Sequence, residues 1–195
     1  MTDGRFILVC DGFVNAADCE RVVGLAERGH WYPSLVDNRF GTTVLDIART
    51  SSSLMFASIA DAWSQRWVES VEASLATVAG VDPTGLEPWQ LTRYRRGERY
   101  GYHLDAGTRR GETGSNRKRT IMIVLEEPGR GGATHFRALG KTIRPRLGRL
   151  VIWPNLLEHS RRDYAMVHAG RPVWQGRKTI MTTWEHENVY HPQGR

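Results

Sequence analysis

At 195 residues the chain is long enough for one well-buried core and short for two, so a single domain over residues 1–195 is expected. Apolar content near two-fifths, seven tryptophans and a quarter charged residues exclude a disordered chain, and no apolar run approaches the roughly eighteen residues of a membrane span. The two cysteines, Cys10 and Cys19, are too few for a disulfide framework and sit in no CxxC or CxxH cluster, while the net charge of +6 leaves room for anionic partners.

The start, Met1-Thr2-Asp3-Gly4-Arg5, lacks the basic opening, apolar core and cleavage site of a signal peptide, so a cytoplasmic protein is expected. Phe6–Val9 reads as a short strand closed by the turn Asp11-Gly12. Asn15 then caps an amphipathic helix carrying Val22, Val23, Leu25 and Ala26, which stops near Gly29. A second helix is predicted over about 57–79, where Ile59, Trp63, Trp67, Val71, Leu75 and Val78 recur at three- and four-residue steps before Gly80. Its stripe reads as core packing. Beyond residue 85 the pattern changes to short β-rich runs broken by Gly and Pro: 89–94, 120–125, 148–153, 164–168 and 178–184. Helical support over 13–80 and a β core over about 86–188 give a mainly β fold, closed or double-sheeted, with the helices outside.

The charge excess is local. From Arg93 to Arg119 nine basic residues, Arg109 and Arg110 among them, face three acidic ones, and the eighteen of each sign elsewhere cancel. Ala106–Asn116, inside that stretch, is predicted to be a mobile loop.

In an extended segment residues two apart share a side, so His103 and Asp105 can reach one ion while Leu104 packs behind. Two histidines and one carboxylate form the set that holds non-haem Fe(II) on one face and leaves other positions open, which points to oxygen chemistry. Of the remaining histidines, His159 lies in a polar loop, and His186 and His191 near the C-terminus read as solvent-exposed. Alternation could point His135 inward as a substrate-side residue. His168 ends a predicted strand before a Gly/Pro-broken turn and is the best third ligand.

These blocks resemble the prolyl 4-hydroxylases of the 2-oxoglutarate/Fe(II)-dependent dioxygenase superfamily. Tyr94, Gly97, Tyr100, His103 and Asp105 match YxxGxxYxxHxD, and Gly131–Phe136 matches GGxTxF. Gly148–Leu156 matches the glycine-led strand ending in FWxNL, and His168, Pro172, Val173, Gly176 and Lys178 match HxxxPVxxGxK. Trp184 matches the tryptophan that follows, and Arg49-Thr50-Ser51-Ser52 repeats an RTSS of those enzymes; Val124 stands where many relatives carry tyrosine.

The resemblance implies a double-stranded β-helix, a jelly-roll barrel of the cupin type. It implies Fe(II) on His103, Asp105 and His168, with 2-oxoglutarate as cosubstrate, dioxygen as oxidant and ascorbate as reductant. Lys178 would meet the far carboxylate of 2-oxoglutarate, with Tyr94 and Thr134 as further contacts and Tyr100, Tyr102, His135, Trp153, Trp184, Arg109 and Arg110 as pocket or substrate-side residues. The activity implied is hydroxylation of an unactivated C–H bond of a prolyl residue in a peptide or protein. The basic stretch, with Arg137, Arg144 and Arg146 nearby, keeps open an acidic peptide, a free amino acid or another anionic metabolite. The absence of any recognisable nucleic-acid module argues against nucleic acid. A non-catalytic iron- or oxygen-responsive binding protein is the alternative of a different class.

Overall fold

The computed structural model describes residues 6–37, 43–107 and 115–191. In chain order the elements are β1 (Leu8–Cys10), α1 (Ala16–Ala26), β2 (Tyr32–Pro33), β3 (Val36–Asp37), β4 (Thr43–Val44), β5 (Ser52–Met55), α2 (Ala62–Ala79), β6 (Gln90–Tyr94) and β7 (Tyr100–His103). They continue as β8 (Arg117–Glu126), β9 (Arg130–Gly131), β10 (Thr134–Phe136), β11 (Lys141–Ile143), β12 (Leu150–Pro154), β13 (His168–Gly170), β14 (Val173–Gln175) and β15 (Lys178–His186). Both helices begin where the sequence places a polar cap. Asn15 accepts from the amide of Asp18, and Asp61 and Ser64 exchange backbone and side-chain bonds in a capping box. The second helix starts later than its periodicity suggests, because Phe56–Ser58 forms a separate 3-10 turn. It ends at Gly80, whose φ of 57° is the left-handed conformation that glycine adopts without penalty.

A seven-stranded antiparallel sheet in the order β1-β12-β8-β15-β6-β5-β2 faces a smaller one in the order β11-β10-β13-β7. Strand alternation sorts the residues of the large sheet into two layers. Leu91, Ile121, Ile123, Leu150, Ile152 and Met181 pack on one face against Cys19 and Val22 of α1 and Trp67, Val71 and Leu75 of α2. From the other face Tyr94, Met122, Val124, Val151, Trp153 and Ile180 meet Phe136 and Ile143 of the smaller sheet. The expected jelly roll is thus two facing sheets, and among the described residues no ladder joins them into a closed barrel. The free side of β7 is covered instead by residues 48–50, through Gly101 N–H to Ala48 O at 2.6 Å and Thr50 N–H to Arg99 O at 3.0 Å. One predicted strand is also corrected. Tyr164–Met166 is a 3-10 turn, capped by the Asp163 side chain on the amide of Ala165, and the strand begins at His168.

The helices are fastened to the large sheet by charge as well as by apolar contact. Glu185, almost fully buried, takes a two-pronged ion pair from Arg119 and accepts from the amide of Asp82 at 3.0 Å. The same guanidinium donates to Ala79 O at 2.7 Å and Gly80 O at 2.8 Å, satisfying carbonyls at the end of α2. Glu185→Ala should therefore lower the unfolding free energy by about 3 kcal/mol, the scale of breaking a buried pair from one side. Thermal denaturation would read this as a fall of about 6–12 °C for a chain of this size.

Candidate metal centre and cosubstrate cavity

The cross-strand register of β13 with β7 sets His168 directly opposite His103, and Asp105 follows two residues beyond the end of β7. The three side chains each offer one ligand atom, and these atoms lie within 4.8 Å of one another. Nε2 of His103 is 3.5 Å from Oδ1 of Asp105, and Nε2 of His168 is 3.7 Å from Oδ2. Each histidine turns Nδ1 to a carbonyl two residues back, His103 to Gly101 O at 2.9 Å and His168 to Met166 O at 3.0 Å. A carbonyl only accepts, so Nδ1 carries a proton in each ring and Nε2 is the atom turned toward the carboxylate.

His168 is held neutral, its pKa pushed down to about 4 by burial and by the neighbouring His103. Burial opposes ionisation of Asp105, but the facing His168 and His103, with Arg117 beyond, hold its carboxyl well below the usual range. Two imidazole Nε2 atoms and a carboxylate converging on one point are a donor set that a divalent cation fits. Oδ2 of Asp105 is fixed from behind. It accepts from Thr120 Oγ1 at 2.6 Å, and Asn155 Nδ2 donates to that hydroxyl at 2.9 Å. Thr120→Val keeps the shape and removes the bond, so metal affinity measured by titration should fall about tenfold, the lower end of the range for such supporting contacts.

The triad opens into a cavity of about 650 Å³ between the two sheets. Lys178, Tyr94 and Thr134 line it together with the triad, as do Tyr100, Trp153 and Trp184. Lys178 and Tyr94 are cross-strand partners on β15 and β6. The ammonium of Lys178 is buried, donates to Gly132 O at 2.8 Å and lies 5.4 Å from the centre of the Tyr94 ring. Among the described residues no carboxylate pairs with it, and burial pushes its pKa down to about 8. Arg177, next in the chain, points outward to Glu126 and Glu27, as alternation requires.

The family model of the 2OG-Fe(II) oxygenase superfamily matches residues 89–186, half of the chain and the whole of this site. The chain belongs to that superfamily. Within it the chain is prolyl 4-hydroxylase-like. It is 31% identical to the prolyl 4-hydroxylase subunit alpha-1 of Gallus gallus, over 62% of its own length and 24% of that protein. It is 27% identical to a probable prolyl 4-hydroxylase 7 of Arabidopsis thaliana, over 92% of its length and 62% of that protein. The chain thus spans a quarter to under two thirds of these relatives. The viral collagen prolyl hydroxylase of Paramecium Bursaria Chlorella virus-1, solved with 2OG, superposes with a TM-score of 0.69 at 22% identity, covering 94% of this chain and 97% of that one, which shows the shared fold.

Against this oxygenase frame, some expected pocket residues lie elsewhere. Tyr102 and His135 do not line the cavity. They alternate with His103 and with Phe136 on their strands, so they project from the outer face of the small sheet, where Tyr102 Oη and His135 Nδ1 are 2.6 Å apart. Arg109 and Arg110 lie outside the described residues. His186 is not solvent-exposed as expected: it is buried, and its Nε2 is 2.8 Å from Glu87 Oε1. Glu87 also takes two bonds from Arg117, at 2.5 and 2.8 Å, and these two partners overcome burial to bring its pKa down to about 2.

Glu87, Arg117 and Trp184 form the far wall of the cavity, with the Arg117 guanidinium 3.8 Å from the Trp184 ring. The local charge excess is also less than the sequence suggests. Arg93, Arg117 and Arg119 are paired with Glu27, Glu87 and Glu185 respectively, all from outside the basic stretch.

Proposed function

We propose that the chain works as one dioxygenase domain in which His103, Asp105 and His168 hold Fe(II), and that it hydroxylates a prolyl residue of a peptide or protein. The observation that carries this reading is the pairing, in one cavity, of a two-histidine, one-carboxylate triad with a buried ammonium that no acid among the described residues meets. An ammonium out of water is costly unless an anion meets it, and the triad supplies none at Lys178. The far carboxylate of 2-oxoglutarate suits that place, with Tyr94 and Thr134 on the same wall. Bound there, iron and 2-oxoglutarate supply oxidative chemistry: dioxygen is divided between succinate, formed with loss of carbon dioxide, and a C–H bond of the substrate. The protein's own part is to fix the ligands, orient Asp105 through Thr120, and exclude water between the two sheets.

The names of the chicken and Arabidopsis relatives support the prolyl substrate class. Ascorbate is the proposed reductant, and the free thiols Cys10 and Cys19 accord with the reducing conditions of a cytoplasm. The test is succinate release from 2-oxoglutarate with Fe(II) and ascorbate, with mass spectrometry of proline-containing peptides, free amino acids and a cell extract. A gain of one oxygen on proline peptides is expected; gain confined to small molecules would replace the prolyl reading.

A further inference from the structure

We infer that Arg49 is a positioning residue for the metal centre, acting through the ring of Tyr100 on the imidazole of His103. The inference rests on the reading of His103, Asp105 and His168 as metal ligands. The two histidines are held by different means. His168 is packed in the core, its ring centre 4.8 Å from that of Trp153 and 5.4 Å from that of Phe136. His103, the most exposed of the three at 19% of its side chain, has no such wall. It lies instead against Tyr100, ring centres 3.6 Å apart and planes within 15°.

A ring has two faces, and with an imidazole that close on one of them the second is left for the guanidinium of Arg49, 4.6 Å from the centre. The guanidinium is itself fixed. It donates to Leu35 O at 2.8 Å, reaches Gln90 Oε1 at 3.5 Å, and its backbone bridges antiparallel to Tyr100. The close approach of that backbone to β7 depends on Gly101, where a Cβ would stand 3.3 Å from the Ala48 side chain.

The electrostatics of the column favour a loaded site. Two electron-rich rings laid nearly face to face are poorly disposed toward each other. An imidazole that donates its lone pair to a cation becomes electron-poor, and the same stack then turns favourable. Arg49 holds the plane of Tyr100 from the far side by cation–π attraction and its fork of hydrogen bonds. The column thus turns Nε2 of His103 toward Asp105 and strengthens when a cation is present. It also gives the Arg49-Thr50-Ser51-Ser52 segment a task that its distance from the triad in sequence conceals.

The test uses Co(II) alone, in anaerobic titrations of the metal-free protein followed by visible absorption, with thermal midpoints of the metal-free variants measured alongside. Arg49→Gln and Tyr100→Leu should each weaken Co(II) binding about tenfold and alter the absorption bands. Tyr100→Phe keeps the ring and should match wild type, and Arg49→Lys should fall between, since it keeps the cation and loses the fork. Wild-type affinity and spectrum in Arg49→Gln would overturn the inference, and with a lowered midpoint would mark Arg49 as structural only. Failure of the wild-type protein to take up Co(II) would sink the metal reading itself, and this inference with it.

Discussion

Asp105→Ala is expected to remove metal binding and, with it, succinate formation, and to lower the stability of the metal-free protein. The two effects have separate causes. Asp105 is the one anionic group of the triad, and without it two neutral imidazoles face the ion with no compensating charge. The loss should exceed the roughly 100-fold that removal of a supporting contact can cost. In the metal-free state that buried carboxylate accepts from Thr120 Oγ1 and faces Nε2 of His103 and His168 at 3.5 and 3.7 Å. Those neighbours hold its pKa well below the usual carboxylate range, so folding stabilises the charged form and its removal forfeits that contribution, while Thr120 keeps Asn155 as a partner. Thermal denaturation with and without Co(II) separates the two: wild type should gain stability on adding metal, by mass action, and Asp105→Ala should not. A variant that still shifted with metal would mean that the ion is held elsewhere.

The contrast between what was legible in the sequence and what was not follows from the range over which each signal acts. Helix α2 could be read because Trp67, Val71 and Leu75 repeat at the helical period and Gly80 marks its end, while its start at the Asp61 cap falls later than the periodicity placed it. Strands β2 to β5, of two to four residues, are too short to show alternation, so Arg49-Thr50 could be matched as a motif but its bracing of β7 carries no periodic signal. Tyr164–Met166 misled because apolar residues in a capped 3-10 turn look like a strand when only Met166 needs to be buried.

At the site, His103 and Asp105 declare themselves by a spacing of two. His168 and Lys178 are ordered by motif, and the register then brings each histidine opposite the other. The Glu87–Arg117–His186 cluster carries no such mark. Its members lie 30 and 99 residues apart, and each alone reads as a surface charge or a terminal histidine. The same blindness inflated the basic stretch: counting residues sees Arg93, Arg117 and Arg119 but not the glutamates that the fold folds onto them. The electrostatic case for an anionic prime substrate weakens accordingly: of the cations that line the cavity Arg117 is met by Glu87, and Lys178 and Arg49 are the ones left without an acid among the described residues.

Lys178→Met should therefore separate the cosubstrate from the fold. Losing one partner of a buried, hydrogen-bonded charge pair costs about 2–5 kcal/mol, so the KM for 2-oxoglutarate should rise by roughly 30-fold or more. The fold should not suffer, because methionine fills the space of the side-chain stem and removes an ammonium that, among the described residues, hydrogen-bonds to Gly132 O alone. The pH dependence gives a second, independent reading. Burial brings the folded pKa of Lys178 down to about 8 from an ordinary 10.5, so between these values the unfolded chain binds the additional proton. Stability contributed by this group must then rise as pH increases through that window, and the rise should vanish in Lys178→Met. Cosubstrate affinity should move the opposite way, weakening above about pH 8 as the ammonium of the unliganded protein loses its proton. Lys178→Arg stays charged at every accessible pH, so its KM, whatever its absolute value, should not climb there. A Lys178→Met protein with unchanged KM would place the far carboxylate of 2-oxoglutarate on another residue of the cavity, and Thr134 and Tyr94, which line it with Lys178, would be the first to replace.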